Sequence, residues 1–310
     1  MKKSHWWRNL LIFTGTLFLL AVIGGFTWAA RILSDQIIHP QRLPVTISPA
    51  DMGMTTWETV TLTTADGLHL AGWFIPAENA SPAPTILFLH GLGGNRQSLL
   101  AQAALLHQYG YAALLLDLRG HGESEGDFTT LGYLELQDVQ AAMDLLLTRP
   151  DVNPEQIALI GESMGAATAI RAAARIPQVQ AVVAQAAFAR VEDVMTDAVQ
   201  RRFGLPPFPL IPLGFWLAEH DTGVPIQEVR PVDDIAQIAP RPVLLLHGTR
   251  DQTVDPVNSQ ALYEAALEPG ELVYFANAQH GGLLEADPAL WESQVVSFLE
   301  RYVKGKKCCV

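Results

Sequence analysis

Six short apolar runs, separated by segments of helix length, most constrain what this chain can fold into. Each run is continuously apolar instead of alternating with polar residues, which indicates strands that are buried on both faces of a sheet. The runs cover residues 85–89, 112–116, 157–160, 179–184, 243–246 and 272–275. We therefore predict a doubly wound α/β fold, in which helices cover both faces of a mostly parallel sheet.

Two further strands are predicted upstream, at residues 57–62 and 68–75. They flank Ala65, Asp66 and Gly67, a combination that is typical of a hairpin turn. With this hairpin, the predicted sheet has eight strands.

The amino-terminal residues indicate a membrane segment. Residues 10–30 form an uncharged, largely apolar run that follows Lys2, Lys3 and Arg8. As a helix, these 21 residues would extend about 31 Å, which matches a hydrocarbon core of about 30 Å. A cleavable signal peptide is the alternative, but its apolar stretch would be shorter, and Trp28 disrupts the expected small-residue cleavage site.

The charges around this segment predict its orientation. The positive charges lie mainly on its amino side, which favours a cytoplasmic amino terminus and a folded domain outside the cytoplasm. We divide the chain into a transmembrane anchor at 1–33, a linker at 34–56, a folded domain at 57–303 and a basic tail at 304–310. Cys308 and Cys309, the two cysteines, are neighbours in this tail and cannot staple the fold, so lipidation, intermolecular pairing and a frayed end stay open.

The composition supports a folded domain and excludes a nucleic-acid partner. Apolar residues make up 49% of the chain and charged residues 17%, which leaves ample volume for a buried core. The formal net charge is -12, whereas binding to phosphates requires clustered lysine and arginine.

An insertion at about 188–238 interrupts the alternation of strands and helices, and it is long for a connection within a compact domain. It begins with an amphipathic helix predicted at 191–203, followed by an apolar, proline-rich stretch at 203–216. Such a stretch suits a lid over a hydrophobic cleft, although ordinary packing against the sheet is equally compatible with the pattern. We predict a lid that takes no part in the chemistry.

The strongest chemical signal is a nucleophile elbow at residues 161–165, which read Gly-Glu-Ser-Met-Gly between a predicted strand and a predicted helix. In a sharp turn from strand to helix, the glycines prevent clashes while the hydroxyl of Ser163 projects above the sheet. The amides of the helix amino terminus also lie near this point. The placement of the motif makes Ser163 the predicted nucleophile.

His280 and Asp251 complete the predicted catalytic group. A serine hydroxyl needs a base, usually histidine, and His280 follows the last predicted strand, at the sheet edge where open α/β sheets have their sites. Asp251 follows the preceding strand and is the predicted carboxylate that orients the imidazole. Its nearest competitor, Asp255, precedes a proline at the start of a helix, where a capping role is the simpler interpretation.

An acyl-transfer site also needs two amides for the developing oxyanion. We predict the backbone N–H groups of Met164, which follows the nucleophile, and of Leu92, in the glycine-rich loop after the strand at 85–89. A phosphate-binding loop is the alternative for this segment, but it lacks a Gly-Lys-Ser or Gly-Lys-Thr ending and dinucleotide spacing. We expect no cofactor and no metal.

Together these segments resemble the α/β-hydrolase superfamily, in particular single-domain bacterial esterase-like and serine-aminopeptidase-like members. The resemblance covers residues 57–302 and includes the loop that begins at His90, the segment 117–124, the elbow, and the loops with Asp251 and His280. The order serine, aspartate, histidine is that of the superfamily. Relatives that cleave epoxides or carbon–halogen bonds carry aspartate at the elbow, whereas this chain carries serine.

The resemblance also implies which polar residues are structural. Asp117, Arg119 and His121 belong to a segment that shapes the periphery of the site in relatives. His247 is interpreted as packing at the end of a strand.

The resulting hypothesis is ester hydrolysis through an acyl-enzyme, by a membrane-tethered, carboxylesterase- or lipase-like serine hydrolase with small-molecule or lipid-like substrates. The alternatives are an exported serine aminopeptidase or amidase, because the same residues cleave amides, and an acylthioester hydrolase. An acidic lid residue aimed at a substrate amine would favour the aminopeptidase, and Glu192, Asp193 and Glu219 are candidates. A non-catalytic binding module is a further alternative, which the complete catalytic group disfavours.

Overall fold

The computed structural model of the protein describes residues 5–204 and 206–305. Its centre is one sheet with the strands β1 Glu58–Thr63, β2 His69–Ile75, β3 Ala83–Leu89, β4 Ala112–Leu116, β5 Val152–Glu162, β6 Val179–Gln185, β7 Val243–Gly248 and β8 Gly270–Phe275. Their order across the sheet is β1-β2-β4-β3-β5-β6-β7-β8. β2 is antiparallel to both of its neighbours, and the remaining pairs are parallel. The predicted hairpin and the predicted eight-stranded α/β-hydrolase sheet are thus confirmed.

Helices cover both faces of this sheet. In chain order, the α-helices of the described residues are α1 His5–Ile38, α2 Leu100–Gln108, α3 Glu135–Thr148, α4 Met164–Arg175, α5 Val191–Phe203, α6 Pro207–Thr222, α7 Pro231–Asp234, α8 Val257–Ala265, α9 Leu283–Ala286 and α10 Pro288–Tyr302. The helices α3, α4 and α8 pack on one face, while α2 and α10 pack on the other.

The two-sided burial explains why the central runs are continuously apolar. In β3, Leu87 and Leu89 belong to the core on one face of the sheet, and Ile86 and Phe88 belong to the core on the other. Each such side chain contributes about 1.5–3 kcal/mol by leaving water, so neither face tolerates alternation with polar residues.

Within the described ranges, α1 is the one helix that is long and apolar enough to cross a membrane. It does not end at residue 33, as the predicted boundary has it, but continues to Ile38, which is fully buried against the domain. The polar residues Ser34, Asp35 and Gln36 hide this continuation in the sequence.

The segment predicted as a linker is fixed to the domain along its length. Arg42 donates to the backbone carbonyls of Ser124 and Gly126, and the Gln97 side chain accepts from the Thr46 amide at 2.7 Å. A single 3₁₀ turn, Pro49–Met52, precedes the sheet. The segment therefore holds the end of α1 in a defined position.

Some predicted features lie outside the described residues. These are Lys2 and Lys3 before the anchor, and Cys308 and Cys309 in the tail.

The insertion between β6 and β7 contains two long helices. The first, α5, has the predicted bounds. The second, α6, includes most of the proline-rich stretch: Pro207 lies in its first turn, where its missing N–H leaves no hydrogen bond unmade, and the chain is kinked at Phe208. Prolines therefore shape this helix without preventing it.

Candidate active site

The elbow is a sharp turn between β5, which ends at Glu162, and α4, which begins at Met164. Ser163 has φ 53° and ψ -117°, a left-handed conformation that is strained for a residue with a side chain. A Cβ at Gly161 would lie 2.3 Å from the Gly165 carbonyl oxygen, and one at Gly165 would lie 2.0 Å from the Leu89 carbonyl oxygen. Both positions therefore require glycine.

The structure brings the three predicted catalytic residues together. The Nε2 atom of His280 lies 3.0 Å from the Ser163 hydroxyl oxygen, and Nδ1 lies 2.7 Å from Oδ2 of Asp251. Ser163 follows the carboxyl end of β5, Asp251 that of β7 and His280 that of β8. These three strand ends lie on the same side of the sheet. The geometry suits an imidazole that donates from Nδ1 to the carboxylate and accepts the hydroxyl proton at Nε2.

Asp251 is held by groups on all sides. The backbone amides of Thr253 and Val254 donate to Oδ1 at 2.8 and 2.9 Å. Burial alone would raise the pKa of Asp251, but the hydrogen bonds from His247 and His280 outweigh burial and hold that pKa far below its usual range. The carboxylate is therefore charged and fixed at any pH near neutrality.

His247 is more than the strand-end packing that the sequence predicts. Its fully buried ring lies with Nε2 3.2 Å from Oδ2 of Asp251 and 3.0 Å from the Val254 carbonyl oxygen, and with Nδ1 2.5 Å from the Ser259 hydroxyl. In this geometry, Nε2 can donate to the carboxylate while Nδ1 accepts from the Ser259 hydroxyl. The spacing of four residues between His247 and Asp251, just after a strand, is the signal in the sequence.

Asp255, the competing carboxylate, contacts a different set of groups. Its Oδ1 accepts from the amide of Val257, the first residue of α8, at 3.1 Å, while Pro256 is at the N-cap position. Its Oδ2 pairs with Arg201 at 2.9 Å. The carboxylate that bonds His280 is that of Asp251.

The two predicted oxyanion donors flank the serine. Leu92 and Met164 line the same cleft as Ser163 and His280. A Cβ at Gly91 would lie 3.3 Å from Cβ of Ser163, so the loop after β3 passes directly beside the elbow. In the described part of the chain, neither amide donates to a backbone carbonyl, which leaves both available to a substrate oxygen.

Glu162 is a further group at the site that the sequence analysis did not single out. Its carboxylate accepts a hydrogen bond from the backbone of Gly282, and a Cβ at Gly281 would lie 3.0 Å from Oε1. Burial raises the pKa of Glu162, although the charge of His280 partly offsets that effect. The side chain therefore connects the elbow with the loop that carries His280.

The segment 117–124 lies behind the site, as the resemblance implies. Asp117 pairs with Arg96 at 2.7 Å, and Arg119 pairs with Asp138 at 2.7 Å. His121 stacks edge to face on His90, with ring centroids 4.9 Å apart. Burial, with the neighbouring His121, lowers the pKa of His90 to about 3. These groups brace the loops after β3 and β4.

A cleft of about 510 Å³ opens above Ser163. Its lining is mainly apolar and includes Leu131, Phe188, Val191, Val194, Met195 and Ala198. Arg201, at the end of α5, is the cation at its edge, and it donates to the Gln252 carbonyl at 3.1 Å across the cleft. The first helix of the insertion thus forms one wall of the cleft.

Comparison with known proteins gives consistent matches. Residues 80–210 match the family model described as serine aminopeptidase, S33. The uncharacterized protein YfhR of Salmonella typhi is 27% identical over 297 residues, covering 94% of this chain and 96% of that protein. The uncharacterized protein Rv2307c of Mycobacterium tuberculosis is 31% identical over 237 residues, covering 76% and 75%. Among solved structures, the Pyrococcus furiosus esterase Pf2001 superposes with a TM-score of 0.72 at 26% identity, covering 86% of this chain and 98% of that one.

Proposed function

This chain belongs to the α/β-hydrolase superfamily, and from that premise we propose that it is a membrane-anchored serine hydrolase that cleaves carboxylic esters of acyl or lipid-like substrates. The observation that carries the proposal is the hydrogen-bonded series of Ser163, His280 and Asp251 at the base of an apolar cleft. The similarity of this chain to the Pyrococcus furiosus esterase supports ester hydrolysis as the reaction class.

In the proposed reaction, His280 accepts the hydroxyl proton while the Ser163 oxygen attacks the ester carbonyl. Asp251 stabilises the imidazolium, and the amides of Leu92 and Met164 donate to the tetrahedral oxyanion. The imidazolium then protonates the leaving alcohol, which leaves an acyl group on Ser163. Water, deprotonated by the same imidazole, attacks that acyl group. The imidazolium then returns the proton to the Ser163 oxygen as the acid is released, which restores the starting state.

The lining of the cleft favours esters over aminopeptidase substrates. An aminopeptidase needs a negative group to bind the substrate ammonium, and Glu192, Asp193 and Glu219 do not line the cleft in the described residues. Asp193 instead lies 3.6 Å from Arg190. The charged side chain that α5 does present to the cleft is a cation, Arg201, which would repel an ammonium.

The proposal includes an anchor in the membrane and a lid. Trp7 and Trp28 are 21 residues apart in α1, a rise of about 32 Å, so tryptophans lie at both ends of a segment that fits a bilayer. We propose that α1 spans the membrane with the domain outside the cytoplasm, and that α5 and α6 form the lid. Release of full-length protein from membranes by carbonate would contradict the anchor.

Labelling by a fluorophosphonate probe tests the enzyme. The wild type should be labelled, and Ser163→Ala should lose both the label and about 10⁴ to 10⁶-fold in kcat for a short p-nitrophenyl ester. Ser293→Ala, on the exposed side of α10, is the matched control and should behave like the wild type.

Competition for the label then tests the substrate class. Esters of graded chain length should protect Ser163, and aminoacyl amides should not. An unlabelled wild type, or a Ser163→Ala variant with comparable turnover, would remove Ser163 from the proposed role. Protection by the amides alone would favour the aminopeptidase.

A further inference from the structure

An apolar groove lies between α1 and the two helices of the insertion, and we call it the anchor groove. Its walls are formed by Trp28, Ile32, Leu33 and Gln36 of α1, by Val199 of α5 and by Leu210 of α6. It encloses about 290 Å³, and Gln36 is the polar residue of its lining. Nothing in the proposed reaction uses this groove.

The anchor groove lies where the proposed span leaves the bilayer. It starts at Trp28 and continues to Gln36, eight residues and about 12 Å further along the helix. One turn beyond Trp28, Arg31 pairs with Asp221 of α6, and such an ion pair belongs at the level of the headgroups. The groove is therefore at the boundary between hydrocarbon and water.

Exposed aromatic side chains on the same helices indicate a lipid surface. Trp28 of α1 is 68% exposed, and Phe208 and Trp216 of α6 are 76% and 60% exposed. Single exposed aromatic residues are common, but three of them on packed helices next to a membrane segment are typical of a membrane interface.

A small cavity shares lining residues with both the anchor groove and the catalytic cleft. Leu33 lines both the anchor groove and a small cavity of about 20 Å³, which is also lined by Met195 and Phe215. Met195 in turn lines the cleft above Ser163. A space of this size holds about one water molecule, so Met195 closes a narrow neck between two larger apolar spaces.

We propose that the anchor groove binds the acyl chain of a bilayer lipid ester and leads it past Met195 to Ser163. The inference rests on the proposed function and names the source of its substrate. An acyl chain that left the bilayer through water would expose its whole apolar surface, whereas the groove offers apolar contacts from the hydrocarbon edge inward. The substrate would then reach the serine without passing through water.

Filling the groove from the α1 side tests the path. Ile32 lines the groove and is 37% exposed, so Ile32→Trp can fill it without disturbing the core. The full-length protein is placed in phosphatidylcholine vesicles and given 4-methylumbelliferyl oleate in the bilayer or p-nitrophenyl butyrate in the water. Ile32→Trp should lower kcat/KM for the oleate by about tenfold or more, because the indole occupies the space of the acyl chain, and leave the butyrate within about twofold.

Ile23→Trp is the matched control, because Ile23 is on the same helix, is 52% exposed and does not line the groove. It should turn over both esters like the wild type. Equal rates of Ile32→Trp and wild type on the oleate would overturn the path, and so would an equal loss on both esters.

Photo-crosslinking measures occupancy without turnover. Phosphatidylcholine with a diazirine near the end of its acyl chain should label Ile32, Val199 or Leu210 in the wild type, and Ile32→Trp should reduce that label. A label confined to α1 residues that do not line the groove would overturn the proposal. So would a crosslinked dimer in which a second copy of the chain covers the groove and prevents labelling. If the wild type hydrolysed neither ester, the proposed function would fail while the labelling still decided occupancy.

Discussion

Two regions meet at the cleft, and they are held in different ways. At the sheet edge, the Asp251 carboxylate accepts from two backbone amides and lies within hydrogen-bonding distance of two imidazoles. Across the cleft, α5 presents mainly apolar side chains, and Arg201 makes the polar contact to the opposite loop. Directional bonds fix the reacting groups to within fractions of an ångström, whereas apolar contacts allow the other wall to shift. The sheet edge therefore determines the chemistry, and the apolar wall of α5 determines the shape of the substrate site.

Of changes to the two walls of the cleft, the one expected to have the largest effect is Asp251→Asn, at the sheet edge. The amide preserves the size of the side chain but no longer stabilises an imidazolium, and it favours the wrong tautomer of His280. A loss of about 10⁴-fold in kcat is expected, measured with a soluble ester.

Asp255→Asn is the matched control for this variant, because it changes the neighbouring carboxylate in the same loop. Asp255 is partly exposed and pairs with Arg201, so kcat should stay within about twofold of the wild type. Similar losses of kcat in both variants would show that the whole loop is needed for activity. They would contradict the assignment of Asp251, and not Asp255, as the carboxylate that orients His280.

Acidification to about pH 5 should leave Asp251 charged. Burial would raise the pKa of Asp251, but hydrogen bonds from His247 and His280 keep it far below its usual range. A carboxyl whose pKa is lowered on folding contributes stability above its unfolded value of about 3.9, and loses that contribution only as the pH falls further. Asp251 should therefore contribute as much stability at about pH 5 as at pH 7, so Asp251→Asn should lower the midpoint of thermal unfolding by the same amount at both pH values.

Glu162 is the opposite case. Burial raises the pKa of Glu162, so the folded protein holds this proton more tightly than the unfolded chain does. The charged carboxylate therefore costs stability at neutral pH, and the cost falls as the pH drops through the raised pKa. Relative to the wild type, Glu162→Gln should gain more in the midpoint of thermal unfolding at pH 7 than at about pH 5, and an equal change at both pH values would contradict this expectation.

The sheet edge could be predicted from the sequence because its signals are local. Continuous apolar runs mark strands such as β4, whose bounds agree with the prediction, and the elbow motif lies where a strand meets a helix. The start of β5 was missed, because Asn153, Pro154 and Glu155 are polar or exposed and look like a loop. A strand that extends beyond the core carries no apolar pattern there.

The orientation of side chains could not be predicted in the same way. His247 and Glu162 lie at the carboxyl ends of β7 and β5, and one sequence alone does not indicate whether such a side chain packs in the core or contacts a catalytic residue. The continuation of α1 to Ile38 is also hidden in the sequence, because α6, on which α1 packs, is some 180 residues away. Long-range packing overrides the local polar signal at Ser34 and Asp35. The roles of the predicted site residues stay predictions.

The smallest effect is expected across the cleft, from Arg201→Gln. Arg201 donates to the Gln252 carbonyl and pairs with Asp255 at 2.9 Å, so it joins α5 to the loop that carries Asp251. Exposed pairs of this kind contribute about 0–1 kcal/mol, which corresponds to a change of at most about fivefold. We expect this change in KM for a soluble ester, with kcat preserved, since the variant loosens one wall and leaves the reacting groups in position.

Arg190→Gln provides the matched comparison, because Arg190 adjoins the start of α5 and pairs with Asp193 without lining the cleft. It should change neither constant. If Arg201→Gln lowered kcat as strongly as Asp251→Asn, the insertion would take part in the chemistry, and the two walls of the cleft would no longer differ in kind. A change in KM alone would mean that the apolar wall controls how substrate reaches a site whose geometry the sheet edge has already fixed.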